Sequence, residues 1–346
     1  MPMNIFKILF SIFLLLIGSI GEAKESPKVT IKLALLIPKG TEVSQIFETL
    51  KSEVSERTKG AVDFKIYWGG VQGDENEVLR KIRGKQLHGG IFSGYGLGQI
   101  APEIRVTEIP YLLKNYEEVD YVRKKLEPTM NEYLEKKGFI AIAWNNAGFV
   151  YGFSTVPITS LQTLRSLKCW IWGEDPLAYA FFKTINVSPV SLSITDVLTS
   201  VSSKLIDAAA APPLGAVAFQ WHLKFKYVTN YPIINALGAL IITKEAWEQI
   251  PKDSQNIIIE MSKTNLDGVS LWTRQKNEES IEVLKKAGIK ITEYNPSDME
   301  TILKASKQAR ENLVGKLYSK ELLDKTLSLV EEYRKANPNT SSAILK

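Results

Sequence analysis

From Val29 onward the chain alternates short apolar runs with stretches whose apolar residues fall at helical spacing, and few architectures accept such a pattern. Val29 to Ile37 alternates, then runs apolar and rich in branched residues. It stops at Pro38-Lys39-Gly40, as a buried strand opening into a loop does. Thr41 to Thr58 carries Val43, Ile46, Phe47, Leu50 and Val54 along one helical face, and Thr58-Lys59-Gly60 supplies the stop. Val62 to Trp68 reads as the next strand, closed by Gly69-Gly70. A helix over Glu75 to Arg83, a strand over His88 to Ser93, a helix over Glu117 to Lys137 and a strand over Phe139 to Trp144 follow. The rhythm resumes at Lys168 to Trp172, Val187 to Leu192 and Leu205 to Ala210, with a helix predicted over Thr195 to Ser202. Ala239 to Thr243 reads as a strand and Ser254 to Gly288 as one long helical run; two more helices are expected over Asp298 to Leu317 and Lys320 to Ala336. Strands alternating with helices imply an α/β layered fold, and 346 residues suit two lobes better than one.

The first stretch differs from all of this. Met1 to Ala23 holds one basic residue, Lys7, an apolar run from Ile8 to Ile17, and small residues at Gly21 and Ala23. That predicts a cleaved secretory signal over 1–23, since the run falls short of the roughly 20 apolar residues that span a bilayer. The mature chain is therefore expected outside the cytoplasm, which in a bacterium means the periplasm. The lone cysteine, Cys169, forbids an intramolecular disulfide and a cysteine zinc cluster, and is expected to be a buried, inert thiol. The net charge is +5, but basic and acidic residues are interspersed, as in Glu279 to Lys286, so a solvated surface is expected rather than a nucleic-acid partner.

Enzymatic chemistry finds little support. His88 and His222 stand far apart, outside any zinc-type spacing and away from a nucleophile motif. Gly94-Tyr95-Gly96-Leu97-Gly98 lacks the spacing of a dinucleotide loop and is predicted to be a flexible loop. No catalytic residue, metal site or cofactor is predicted, and the tail from Asn337 is expected to fray.

Several segments in order resemble a known family. They are Glu53-Val54-Ser55-Glu56-Arg57-Thr58-Lys59-Gly60, the turn Gly69-Gly70-Val71-Gln72-Gly73-Asp74-Glu75, Leu79 to His88, Glu108-Ile109-Pro110-Tyr111-Leu112-Leu113, and Leu161 to Lys168. Leu205-Ile206-Asp207, Lys226-Tyr227-Val228 and Trp247-Glu248-Gln249-Ile250-Pro251 complete the set. Together they resemble the DctP-like periplasmic solute receptors of tripartite ATP-independent (TRAP) transporters. The resemblance implies a two-lobed periplasmic binding protein, a venus flytrap with mixed sheets, hinge strands and a long bridging helix. Lobe 1 is expected to comprise 24–146 plus 235–274, and lobe 2 147–234 plus 275–346. It also implies a monomeric receptor, not an enzyme, that captures a small molecule between the lobes and hands it to the TRAP permease membrane subunits. A ligand carrier or a partner of a membrane sensor could use the same lobes.

Family members usually grip an organic acid through arginines, whose forked donors match a carboxylate. Here the expected positions hold Trp170 and Val150, and the family's polar pair after Asp207 has become Ala210 and Ala211. The substitutions point to a neutral or weakly acidic, partly apolar ligand. Strand alternation places Lys168, Trp170 and Trp172 on one face, with Cys169 and Ile171 on the other, so Lys168 is a candidate replacement cation. The remaining candidate ligand contacts are Asp74, Phe92, Ser93, Asn145, Phe149, Ile194, Ala211 and Pro212. Arg105, in a predicted loop after Pro102, ranks below Lys168 as an anchor.

Overall fold

A computed structural model describes residues 29–345, apart from the side chains of residues 266 and 267. The signal segment expected over 1–23 lies outside the described residues. The first lobe begins with strand β1 (Val29–Ala34), helix α1 (Glu42–Arg57), β2 (Val62–Tyr67), α2 (Glu75–Arg83) and β3 (Gly89–Ser93). Helix α1 starts where the sequence predicts because the Thr41 hydroxyl accepts the Ser44 amide, and α2 starts at Asp74, whose carboxylate accepts the Glu75 amide. Strand β1 pairs parallel to both β2 and β3. The glycine-rich run at Gly94 is helix α3 (Gly94–Ile100) rather than a loop: Ser93 caps it, and Gly94 and Gly96 let Glu108 and Glu75 approach where a Cβ would collide. A 3-10 turn (Pro102–Glu108) and helix α4 (Tyr116–Lys136) follow.

Strand β4 (Phe139–Ser154) runs on well past Trp144, where the sequence suggests an end. Asn145-Asn146-Ala147-Gly148 looks like turn chemistry, but it forms an irregularity between Asn146 and Gly148 that bends the strand without ending it. The first part of β4 pairs antiparallel with β9 (Ile234–Thr243), and its far end pairs with β7 (Ala208–Ala211) and β8 (Tyr227–Thr229). One eight-stranded sheet thus passes through both lobes in the order β10-β8-β4-β9-β3-β1-β2, with β7 beside β4 and β10 spanning Lys290–Thr292. Apart from it stands a two-stranded parallel sheet in the second lobe, β5 (Trp170–Trp172) with β6 (Val190–Leu192). A single bridge from Cys169 to Ala208 links that pair to β7.

The second lobe is clothed by α5 (Leu161–Ser166), α6 (Pro176–Thr184), α7 (Val197–Ser202) and α8 (Pro213–Ala218). After the short α9 (Lys244–Glu248), the 35-residue helix α10 (Lys252–Lys286) lies along β4 and reaches from α1 to α8, so it bridges the lobes. Asn277 clamps it to the hinge. Its amide Nδ2 donates to the Ala147 carbonyl at 3.0 Å, and its Oδ1 accepts the Leu214 amide at 3.0 Å.

Helix α11 (Pro296–Asn312) packs on α6, but α12 (Lys320–Ala336) packs on α4 of the first lobe. The assignment of all of 275–346 to lobe 2 therefore fails at α12, whose buried Leu322, Leu323, Thr326 and Val330 form the stripe that meets α4. The tail is also anchored rather than frayed. Ala343 donates to the Lys114 carbonyl and accepts from the Tyr151 hydroxyl, and Leu345 is buried.

Candidate functional site

A cavity of about 250 Å³ lies where the lobes meet. The first lobe contributes Ser93, Tyr95, Arg105 and Glu108; the second contributes β5, β7 and one side of α6; the hinge supplies Val150 and Ala236. Seven predicted contacts are brought together on its wall: Ser93, Val150, Trp170, Trp172, Ile194, Ala211 and Pro212. Trp170 is 7% exposed and edge-on to Trp221 at 5.7 Å, and its indole Nε1 donates to the Leu192 carbonyl at 3.0 Å. Its one donor is satisfied by backbone, so it offers the cavity a ring surface.

Cys169 and Ile171 border the cavity as well, so the cavity reaches beyond the face of the short strand that carries Trp170 and Trp172. Burial pushes the Cys169 thiol up to about 12, leaving it protonated and unreactive.

Five predicted contacts stand off the wall. Lys168 is exposed, and its ammonium is bonded to the Lys204 carbonyl, because β5 begins only at Trp170 and alternation does not extend back to it. It is not the replacement cation. Phe92 is fully buried in the first lobe's core. Phe149 turns to the other side of β4, with its ring 4.9 Å from that of Tyr116. Asn145 borders a separate cleft behind the hinge with Asp120, Arg123 and Trp144. Asp74 lies beside the cavity and ties its two walls together. It accepts the Trp172 indole Nε1 at 3.0 Å and the Ser193 hydroxyl at 2.7 Å.

The sequence underrates Arg105. The 3-10 turn after Pro102 brings its side chain inward to 5% exposure, and it bonds both Glu108 and, at 2.7 Å, Asp175 across the cleft. Burial alone would lower its pKa, but Asp175, Glu108 and Glu75 outweigh that and hold it above the ordinary arginine value. Glu108 also accepts the Leu237 amide at 2.7 Å, and Asp175 caps α6 through the Leu177 amide at 3.0 Å. Among the described residues Arg105 is the one Lys or Arg on the cavity wall, and it faces two carboxylates. Nearby Glu75 is buried under α3, where the Ser93 amide (2.7 Å) and hydroxyl (2.8 Å) donate to it; burial pushes its carboxyl up to about 7.

Tyr111, Phe181, Phe182, Phe219 and Tyr294 also reach the wall, unheralded in the sequence because aromatic residues at such positions ordinarily belong to the core. No group of three or more His, Cys, Asp and Glu among the described residues is placed to hold a metal ion. None of their helices is long and apolar enough to cross a membrane.

A family model described as bacterial extracellular solute-binding protein, family 7, matches residues 34–318. The C4-dicarboxylate-binding periplasmic protein DctP of Rhodobacter capsulatus is 23% identical over 258 residues, covering 72% of this chain and 74% of that protein. In fold the chain is similar to the sugar acid binding protein DctPAm from Advenella mimigardefordensis, solved with galactonate. The TM-score is 0.81 at 18% identity, over 89% of this chain and 99% of the other. It is also similar to a TRAP periplasmic solute binding protein from Desulfovibrio salexigens with bound orotic acid, with a TM-score of 0.78, 20% identity and the same coverage. With some five-sixths of its length matched by one model, the chain belongs to the bacterial extracellular solute-binding proteins of family 7.

Proposed function

We propose that this chain is the periplasmic receptor of a TRAP-type transporter, acting as a monomer, and that its ligand is neutral or weakly acidic and partly apolar. The moving bodies in this reading are 24–146 with 235–274 and 147–234 with 275–319, while α12 travels with the first. The lobes close over the solute, and the closed form presents it to the membrane permease subunits.

The observation that carries the ligand assignment is the double engagement of Arg105 by Glu108 and Asp175. A carboxylate ligand entering here would be a third anion around one guanidinium, and leaving a buried charge uncompensated costs several kcal/mol. Val150 and Trp170 add no cation, whereas their surfaces favour apolar and planar groups. The acids named for the relatives, C4-dicarboxylate, galactonate and orotic acid, require a charge balance that this wall does not supply.

Benzamide and benzoate, nearly identical in shape, separate charge from size. Calorimetry at pH 7.5 is expected to show benzamide binding the more tightly. Benzoate binding as well as or better than benzamide would contradict the assignment.

A further inference from the structure

The polar and apolar groups of the cavity wall are segregated along helix α6. Asp175 caps the helix, and Leu177, Ala178, Phe181 and Phe182 all border the cavity, a one-sided stripe at helical spacing. The rise from Asp175 to Phe181 is about 9 Å. At the Asp175 end stand the charged and hydroxyl groups, Arg105, Glu108, Ser93 and Tyr95. At the other end the cavity enters the hydrophobic cluster of the second lobe, where Ile158, Leu164 and Phe181 are joined by Tyr111, Phe182 and Tyr294.

Tyr111 marks this end as built for more than core filling. Its backbone is left-handed at φ 58°, a conformation that a bulky residue adopts only when its surroundings impose it. Its amide is held by the Ile233 carbonyl at 2.6 Å, and its ring meets Phe181 at 5.7 Å and Tyr231 at 6.1 Å.

Resting on the receptor reading, we infer that the ligand is an elongated amphipathic solute. An uncharged hydrogen-bonding head lies beside Ser93, Arg105 and Asp175, and an apolar tail lies along α6 in a chamber walled by Tyr111, Phe181, Phe182 and Tyr294. The head finds hydrogen-bonding groups already in place, and the tail gains by leaving water.

The test is a homologous series of primary amides, from butanamide to dodecanamide, titrated into the protein after unfolding, dialysis and refolding to remove bound solute. Affinity is expected to rise about fourfold per methylene while the chamber fills, and to level off by decanamide. Phe181→Trp narrows the chamber and moves the levelling to shorter chains; Phe182→Ala widens it and moves the levelling to longer ones. A single affinity across the series overturns the tail chamber and leaves a receptor with a differently shaped ligand. No binding by any member overturns the amphipathic class. The receptor reading is decided apart from both, by the solute that leaves protein made in its native periplasm.

Discussion

The indole of Trp172 donates its proton to Asp74 across the cleft, 3.0 Å from Oδ2 and 3.3 Å from Oδ1, and Ser193 adds a second donor from the same side at 2.7 Å. Asp74 caps α2 in the first lobe, and Trp172 and Ser193 belong to the second, so one carboxylate ties the two lobes together. Tyr95 lies on the same indole with ring centroids 5.8 Å apart, and Asn76 bonds the Tyr95 hydroxyl at 2.8 Å.

Removing the fastener should open the molecule. Asp74→Ala loses both charge-assisted bonds across the cleft, along with the cap on α2, and is expected to weaken ligand binding by about 2 kcal/mol. Small-angle scattering of the ligand-bound protein checks it through a larger radius of gyration. An unchanged affinity and radius would show that the bonds do not hold the lobes.

Releasing Arg105 should change what the site accepts. Asp175→Asn keeps the oxygen that caps α6 but removes one of the two anions facing the guanidinium. Benzoate affinity is expected to rise about tenfold while benzamide changes little, as read by calorimetry. Equal effects on both probes would mean that charge is not what sets the preference.

Trp170→Ala should weaken binding of the native solute by about 1 to 3 kcal/mol, the range for losing a buried aromatic anchor. Trp170→Arg should raise affinity for simple carboxylates. Calorimetry with both variants checks the pair, and melting curves separate lost contact from lost folding, since Trp170 also packs on Trp221.

The buried Glu75 predicts how stability follows pH. Its carboxyl titrates near 7 in the folded protein against 4.5 for the free group, so between those values the folded state holds a proton that the unfolded state gives up. Stability from this group is full below pH 4.5 and falls as pH rises through 7, by up to about 3 kcal/mol. Glu75→Gln should flatten that fall and melt higher than the parent at pH 8. Parallel melting curves from pH 5 to 8 would contradict it.

The hinge tolerates no side chain at Gly148. Its φ is +106°, and a Cβ there would lie 2.3 Å from Nδ2 of Asn277. Gly148→Ala is expected to cost more than about 1 kcal/mol and to loosen the clamp between β4 and α10. Thermal melting provides the check.

The strands and long helices were legible because their apolar spacing is local: α2 and α12 begin and end at the predicted residues, and caps such as Thr41 mark the others closely. What escaped depends on contacts distant in sequence. Strand β4 continues through turn-like asparagines because β9 lies beside it for ten residues. Arg105 turns inward because Glu108 and Asp175 meet it there, the latter 70 residues away. Trp170 and Val150, singled out through the family's pattern, both line the cavity, because that pattern carries positions relative to the cleft that local spacing does not. Lys168 misled because the regular strand that alternation assumes begins only at Trp170, two positions further on.

The most direct measurement is mass spectrometry of the small molecule released on denaturing the protein purified gently from its native host. The prediction is one compound near equal stoichiometry, neutral or weakly acidic, with an apolar part. A dicarboxylate or a sugar acid at that stoichiometry would contradict it.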